Sequence, residues 1–259
     1  MKIIDSHAHI GKIGCYSSDA AMLQKAMDSF DVQTAIISNM SANEFDCDGN
    51  DISNYKNQIE MNREISAVCR LNQEKFKGLF WIRPHHEKCN LEAEAFLKEN
   101  KDIFVGLKVH PKGANLKFTY ENYHDYLNLC KNLNLPFCIH TEQDGFSNID
   151  YVYEVACECP DINFIAVHMN LGSDHNEAFE YIKSLPNLYG DTTLVGLQDV
   201  IFALQYCGSE KILFGSDAAI FGENSYERYR NYIERLPVLF ALNDIDNLFW
   251  KNSERLFNL

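Results

Sequence analysis

The chain has 259 residues, of which 46% are hydrophobic and 23% are charged, and it carries a formal net charge of −14. This length and composition suit a globular protein with a sizeable core. The acidic excess argues against a protein that binds nucleic acid without sequence preference, because such a protein needs a basic face for the phosphates. No apolar run approaches the length of a membrane span.

The nine cysteines are odd in number and irregularly spaced. The closest pair is Cys157 and Cys159, and the sequence has no CxxC motif, so a structural zinc ribbon is not expected. The first residues lack the basic region and long apolar core of a signal peptide. We therefore expect reduced thiols in a cytoplasmic protein.

Short β-rich apolar runs alternate with helical patterns along the chain. Strands are predicted at residues 2–10, 34–40, 77–83, 103–110, 135–141, 163–169, 187–191 and 211–217. Several runs are apolar throughout, such as TAIISN and KILFGS, which is typical of parallel strands buried on both faces. Helices are predicted at residues 18–30, 57–74, 90–98, 120–133, 149–157, 176–183, 197–206 and 225–239.

This alternation predicts an α/β fold, a (β/α)8 TIM barrel that spans residues 1–259 as a single domain. An open doubly wound sheet is the alternative. That fold would have a glycine-rich phosphate loop after its first strand, where this chain has DSHAHIGKIG. The longest irregular stretch, residues 41–56, is a candidate loop over the barrel mouth.

Polar side chains concentrate at the predicted strand ends, where barrel enzymes form their active sites. Six of the nine histidines fall at or just after these ends: His7, His9, His85, His110, His140 and His168. His7 and His9 are two residues apart in one strand, so they point to the same face and could form half of a metal site. Other strand ends carry Arg83, Lys108, Asp191 and Asp217. This clustering is far more specific than the HxH pattern alone.

The HxH of the first strand, the histidines of the fifth and sixth strands and the GSD aspartate of the eighth strand resemble the amidohydrolase superfamily of metal-dependent (β/α)8 enzymes. The stretches GLKVHP, PFCIHTE, LFGSDA and NSERLF are similar to the amidohydrolase-related branch of that superfamily. The resemblance extends over the whole chain, with the motifs in order. It indicates the family more strongly than the substrate, because one fold hosts many functions.

The resemblance implies a set of four metal ligands, His7, His9, His140 and Asp217. Three imidazoles and one carboxylate suit a divalent ion and leave a position for water, and zinc is expected before manganese or iron. The resemblance also implies that Asp217 is the base that takes and passes on a proton. His168 would then hydrogen-bond the attacked oxygen or help to activate the water.

Four other residues are candidate substrate contacts: Arg83, His85, Lys108 and His110. Arg83 could hold a carboxylate through two hydrogen bonds. Lys108 has two interpretations, a carboxylated bridge between two metals, as in binuclear relatives, or a cation that pairs with a substrate anion or a barrel carboxylate. The His-Pro pair after it resembles the amidohydrolase-related branch and favours the second. Asp191 could orient a ligand histidine or cap the next helix.

The leading functional prediction is a hydrolase that uses a metal-activated water on a small amide, lactone or ester. The alternative is a metal-dependent decarboxylase or hydratase of an unsaturated carboxylic acid, which would need cations such as Arg83 and Lys108 near the metal. A TatD-type deoxyribonuclease would have a glutamate in place of Lys108, and a non-enzymatic scaffold ranks last. We expect a small-molecule substrate, no nucleic-acid or membrane partner, and a homodimer as the commonest kind of assembly.

Overall fold

The computed structural model describes residues 1–46, 48–52 and 57–259. Its strands are β1 (Ile4–Ile13), β2 (Tyr16–Ser18), β3 (Thr34–Asn39), β4 (Phe76–Trp81), β5 (Phe104–Val109), β6 (Phe137–Glu142), β7 (Phe164–Leu171), β8 (Leu188–Asp191) and β9 (Ile212–Leu213). Its α-helices are α1 (Ala20–Phe30), α2 (Gln58–Leu71), α3 (Leu91–Glu99), α4 (Tyr120–Leu133), α5 (Ile149–Glu158), α6 (Asn176–Ser184), α7 (Leu197–Tyr206), α8 (Arg230–Leu239), α9 (Leu242–Asp246) and α10 (Asn252–Phe257).

The strands form one sheet in the order β2-β1-β3-β4-β5-β6-β7-β8-β9. β1 and β2 pair antiparallel, and every other neighbouring pair is parallel. The predicted α/β fold with a parallel sheet is thereby confirmed. After β9 the chain returns to β1, where Ser6 N donates to Phe214 O at 2.9 Å and Ala8 forms a parallel bridge with Ala218. A complete (β/α)8 barrel stays a prediction.

Two groups of buried side chains lie on the two faces of the sheet. Ile36, Leu79, Val105, Ile165 and Leu213 come from different strands and belong to one cluster with the aromatic ring of Phe257 in α10. The alternate strand residues pack in a separate, larger cluster with the helices. Because successive strand residues point to opposite faces, a strand that is apolar throughout supplies both clusters. This explains the continuous apolar runs of the sequence.

Polar side chains mark where the helices begin. At the start of α2, Asn57 accepts a hydrogen bond from Glu60 N, and the Glu60 carboxylate accepts one from Asn57 N. Asn90 caps α3 and Thr119 caps α4 through their side chains. Such caps satisfy the N–H groups that have no partner inside the helix. They place the helix starts in the loops that follow the parallel strands, near the edge where polar residues gather.

Several element bounds differ from the sequence-based expectation. The strand predicted at residues 211–217 is only Ile212–Leu213. It ends there because Phe214 N donates its hydrogen bond to Leu248 O and because Asp217 has a left-handed φ of 61°. β1 continues to Ile13 and forms an unpredicted hairpin with β2, in which Gly11 adopts a φ of 102°. That positive φ is one that glycine adopts readily.

Two further segments also depart from the predicted elements. The helix predicted at residues 225–239 is a 3-10 turn, Ser225–Tyr229, followed by α8. The loop predicted at residues 41–56 begins with the 3-10 turn Met40–Ala42 and has a bridge between Phe45 and Asp51. Residues 47 and 53–56 of that loop lie outside the described residues. In the described part of the chain, the helices lack the combined length and apolar character needed to cross a membrane.

Candidate metal centre

His7, His9 and Asp217 form a compact group of potential metal ligands, here called the metal triad. β1 places the two imidazoles on one face, with their Nε2 atoms 2.9 Å apart. Each Nε2 atom lies 3.2 Å from the same Oδ1 of Asp217. All three residues are buried, and their ligand atoms lie within 4.8 Å of one another. Two imidazole nitrogens and one carboxylate oxygen that converge in this way fit a divalent ion.

The backbone holds Asp217 against β1. Asp217 N donates to His7 O at 2.9 Å, and the residue adopts a φ of 61°. A non-glycine residue rarely occupies this left-handed region without support from its surroundings. The short β9 strand and the turn after it therefore bring this carboxylate beside the imidazoles of β1.

The second nitrogen of each triad imidazole has its own partner. Nδ1 of His7 lies 3.2 Å from Oδ2 of Asp191 and 3.2 Å from Oγ1 of Thr193. Nδ1 of His9 lies 2.9 Å from Oγ of Ser38. When Nδ1 carries the proton and donates it to such a partner, Nε2 keeps a free electron pair for a metal. Asp191 thus has the contact expected of a residue that orients a ligand histidine.

The electrostatic surroundings favour the ligand forms of these side chains. Burial, followed by the nearby charge of Lys108, lowers the pKa of His7 to about 3, so its imidazole is neutral. Burial opposes ionisation of Asp217, but His7 and His168 outweigh it and hold the pKa of that carboxyl well below its usual range. A neutral imidazole and an ionised carboxylate are the forms that bind a metal.

Lys108, on β5, is buried next to the metal triad. Its Nζ lies 3.2 Å from Nε2 of His7 and 5.9 Å from the ring centre of Trp81. Burial is the main cause that lowers the pKa of Lys108, while Asp217 and Asp191 act in the opposite direction. The residue is therefore within reach of a bound ion and of an anion in the pocket, and both interpretations of Lys108 stay open on distance alone.

Three other histidines lie beside the metal triad. The rings of His110 and His140 stack with centres 3.7 Å apart, and the rings of His140 and His168 are 4.6 Å apart. Nε2 of His140 lies 3.4 Å from Oε2 of Glu142. Among the described residues, the group that could hold a metal is His7, His9 and Asp217, without His140. The role of His140 as a fourth ligand stays a prediction.

Hydrogen bonds define the tautomers of two of these histidines. Nδ1 of His110 accepts from Gly113 N at 3.1 Å, so a neutral His110 carries its proton on Nε2 and can donate it. Nδ1 of His168 lies 3.1 Å from the carbonyl oxygen of Thr193, to which it donates, so a neutral His168 presents Nε2 as an acceptor. Burial lowers the pKa of both histidines, which favours these neutral forms.

The end of β7 is conformationally strained. His168, Met169 and Asn170 have φ angles of 69°, 49° and 70°. Asp191 Oδ1 accepts from His168 N at 2.9 Å, and Thr141 Oγ1 accepts from Asn170 N at 2.7 Å. Three consecutive non-glycine residues in the left-handed region are costly, and such strain gathers at functional sites. It turns His168 toward the metal triad.

A pocket of about 350 Å³ lies above the metal triad. Its polar lining consists of His7, His9, Asn43, Asp46, Lys108, His110, His140, His168 and Asp217. The remaining lining residues are Ile13, Gly14, Cys15, Tyr16, Met40, Trp81 and Ile220. Convergent polar groups in an otherwise apolar pocket are typical of a site for a small molecule.

Two predicted substrate contacts do not line this pocket. Arg83 is buried, with Nη1 at 3.6 Å from Oε1 of Glu87. His85 is exposed, and its ring meets the edge of Phe45 with centres 4.7 Å apart. Lys108 and His110 do line it. The structure thus brings together seven of the nine predicted site residues: His7, His9, Lys108, His110, His140, His168 and Asp217.

The sequence-based prediction missed several residues of the site. Ser38, near the end of β3, and Thr193, two residues after β8, contact the triad imidazoles. Their positions close to strand ends are the signal that could have found them. Trp81 is the last residue of β4 and carried the same signal. Asn43 lies in the connection after β3, and nothing in its local sequence indicated that it would reach the pocket.

Comparison with known proteins places these features in context. A family model described as "Amidohydrolase" matches residues 4–259. No curated protein matches the sequence significantly.

Solved structures resemble this one over its full length. The crystal structure of 2,6-dihydroxybenzoate decarboxylase with 2,6-dihydroxybenzoate is 17% identical with a TM-score of 0.73, and the match covers 100% of this chain and 99% of that chain. 5-Carboxyvanillate decarboxylase from Sphingomonas paucimobilis is 12% identical with a TM-score of 0.73, and the match covers 100% of this chain and 99% of that chain. Dihydroxybenzoic acid decarboxylase from Polaromonas sp. JS666, with bound manganese and 2-nitroresorcinol, is 15% identical with a TM-score of 0.67. That match covers 100% of this chain and 97% of that chain. Identities this low show a shared fold.

Proposed function

This chain belongs to the amidohydrolase family, a family of metal-dependent enzymes, and we propose that it is a decarboxylase of a small aromatic carboxylic acid. The observation that carries the proposal is the pocket. It combines the metal triad with the buried ammonium of Lys108 and with apolar side chains such as Trp81 and Ile220. A carboxylate needs the cationic part of such a pocket, and an aromatic ring needs the apolar part.

His7, His9 and Asp217 are the residues that would hold the metal, and His140 is the proposed fourth ligand. A bound divalent ion would supply Lewis-acid polarisation of a substrate oxygen and would offset its negative charge. Manganese replaces zinc as the first choice, because the Polaromonas enzyme of similar fold holds manganese. Its preference for oxygen ligands also suits a substrate that binds through carboxylate or hydroxyl oxygens.

The protein's own residues would bind and orient the acid. Lys108 is placed to pair with a substrate oxygen anion. His110, as a donor through Nε2, would hydrogen-bond a carboxylate oxygen, and Trp81 would pack against the ring. The apolar walls would exclude water from the reacting carbon.

Decarboxylation needs one proton at the carbon that loses the carboxylate. The bond between that carbon and the carboxylate breaks, its electron pair stays on the ring, and a proton takes the place of carbon dioxide. Asp217, ionised in the free protein, would take the proton of the acid's own carboxyl group, which binds as the carboxylate, and would then deliver that proton to the ring carbon. His168, as an acceptor through Nε2, would hold a hydroxyl proton of the substrate.

Hydrolysis of an amide, lactone or ester ranked first from the sequence and becomes the second choice. The same metal triad could support hydrolysis. However, the three solved structures of similar fold that are reported above are decarboxylases. A deoxyribonuclease remains less favoured because Lys108 stands where that class has a glutamate. The closed eight-stranded barrel is part of the proposal, supported by the hydrogen bonds between β1 and residues 214–218. The single domain, the cytoplasmic location and the homodimer stay predictions.

The test is an assay of manganese-loaded protein for carbon dioxide release from benzoate, the hydroxybenzoates and 2,6-dihydroxybenzoate. A panel of small esters, lactones and amides is assayed in parallel for hydrolysis. We expect one mole of carbon dioxide for each mole of acid consumed, abolished by a chelator and restored by manganese. Hydrolysis of a panel member without any release of carbon dioxide would reverse the order of the two proposals.

A further inference from the structure

Asp5, two residues before His7 in β1, has a fully buried carboxylate. It is not one of the described residues that line the pocket, so its role is not direct contact with a ligand there. Three groups donate hydrogen bonds to this carboxylate: His7 N at 3.0 Å, the Tyr226 hydroxyl at 2.7 Å and the Ser216 hydroxyl. Such donors offset the cost of burying a carboxylate. Asp5 thereby joins the first strand to residues 211 and 221 positions later in the chain.

The Ser216 hydroxyl connects Asp5 to the turn that carries Asp217. Its Oγ donates to Oδ2 of Asp5 and accepts from Ala218 N at 3.0 Å. Asp217 therefore lies between two residues that are tied to the same hydroxyl group. Its φ of 61° is one that a non-glycine residue keeps only when its surroundings enforce it. The Ser216 hydroxyl is one of the contacts that enforce it.

The other oxygen of Asp5 holds the backbone of His7. Oδ1 accepts from His7 N, while Oδ2 accepts from the Ser216 hydroxyl. One rigid carboxylate thus holds two members of the metal triad, whose ligand atoms, Nε2 of His7 and Oδ1 of Asp217, lie 3.2 Å apart. Ligand distances in a metal site must be right to within about 0.2 Å, so a small shift of either backbone weakens metal binding.

We infer that Asp5 is a positioning residue of the metal centre, which sets the metal affinity by holding His7 and the turn at Ser216 in register. The inference rests on the metal triad of the proposed function and does not depend on the reaction. A purely structural role would give every hydrogen bond to Asp5 the same consequence. Tyr226 separates the two roles, because it donates to the same Oδ2 but lies in the turn Ser225–Tyr229, away from Asp217 in sequence.

The experiment compares three variants by manganese titration against a competing chelator and by thermal unfolding. Ser216→Ala removes the bond that leads to Asp217, and Asp5→Asn removes the charge that both hydroxyls share. Each should weaken manganese binding by at least about tenfold, the lower end of the effect of losing a group that supports a metal ligand. Tyr226→Phe is the matched control, because it removes one buried hydroxyl bond to the same oxygen. It should lower the melting temperature as much as Ser216→Ala does, and change the manganese affinity by less than about twofold.

The double variant that combines Asp5→Asn with Ser216→Ala should bind manganese within about twofold of the weaker single variant, because both changes break the same contact. The circular dichroism spectrum reports whether each variant is folded, and Asp5→Asn gives the comparison with Tyr226→Phe if Ser216→Ala does not fold. Manganese affinity equal to that of the wild type in folded Ser216→Ala or Asp5→Asn, or an equal loss of affinity in Tyr226→Phe, would overturn the inference. If the wild type does not bind manganese, the metal triad of the proposed function fails together with the inference. Manganese binding that does not depend on Asp5 and Ser216 removes the inference alone.

Discussion

Nζ of Lys108 and Nε2 of His7 lie 3.2 Å apart in the interior of the protein. The ammonium thus contacts the same nitrogen atom that would bind a metal. The positive charge of the ammonium would repel a metal ion bound at this nitrogen, whereas the negative charge of a carboxylated lysine would attract the ion. The contact therefore gives the two interpretations of Lys108 opposite consequences for metal affinity.

We predict that Lys108→Met tightens manganese binding by about tenfold, because it removes a positive charge beside His7. The same variant should raise KM for the aromatic acid, since the proposed partner of its carboxylate is lost. Titration against a competing chelator measures the first effect and steady-state kinetics the second. Lys131→Met, at an exposed ion pair with Asp161, is the matched control. Weaker manganese binding in Lys108→Met would support the carboxylated bridge instead.

We predict that His9→Ala weakens manganese binding by at least about a hundredfold. Loss of a residue that only hydrogen-bonds a metal ligand already weakens metal affinity by about 10–100-fold, and His9 is a ligand itself. His140→Ala tests the proposed fourth ligand and should weaken binding at least about tenfold. Elemental analysis after dialysis and chelator titration give the metal content and the affinity. His85→Ala, at an exposed histidine, should bind manganese like the wild type. Full metal content in His9→Ala would contradict the metal triad.

We predict that Asp217→Asn lowers kcat for carbon dioxide release by about a thousandfold, a typical effect of removing a positioned proton carrier. The assay uses saturating manganese so that the weaker metal affinity of this variant does not limit the rate. The melting temperature should stay close to that of the wild type, since the amide has nearly the same shape. Activity equal to that of the wild type would exclude Asp217 as the proton carrier.

Glu44 provides a prediction about pH. Burial raises the pKa of Glu44 to about 7, despite hydrogen bonds from the backbone N–H groups of His86 and His85. Its unfolded pKa is near 4.5, so between pH 4.5 and 7 the folded state binds more protons than the unfolded state. The free energy of unfolding contributed by this group therefore falls as pH rises through that window.

Comparison with Glu44→Gln isolates this effect, because glutamine keeps an acceptor for the two N–H groups and does not ionise. The wild type should lose stability relative to the variant by at most about 1.4 kcal/mol per pH unit between pH 4.5 and 7. Urea unfolding at several pH values measures the difference. Glu121→Gln, at an exposed position, should run parallel to the wild type. A difference in the free energy of unfolding between the wild type and Glu44→Gln that does not change between pH 4.5 and 7 would contradict the raised pKa.

Much of the site could be predicted from positions at strand ends. Alternation along β1 places His7 and His9 on one face, and parallel strands bring their carboxyl ends to one edge. The same rule located Lys108 and His168. It failed for Arg83 and His85, because Arg83 lies near Glu87 and the backbone of His85 turns to the Glu44 carboxylate. The contact between His85 and Glu44 joins residues that are 41 positions apart in sequence, and local patterns carry no information about it.

The sequence by itself determined the α/β class, the parallel strands and the family, because these depend on residue periodicity and on short motifs that keep their order. The tertiary structure alone decided which groups complete the site. Ser38 and Thr193 hydrogen-bond the triad imidazoles, and Asn43 lines the pocket. These arrangements depend on how loops pack against one another after the sheet has formed. They are fixed by hydrogen bonds between distant residues, which a pattern along the chain does not contain.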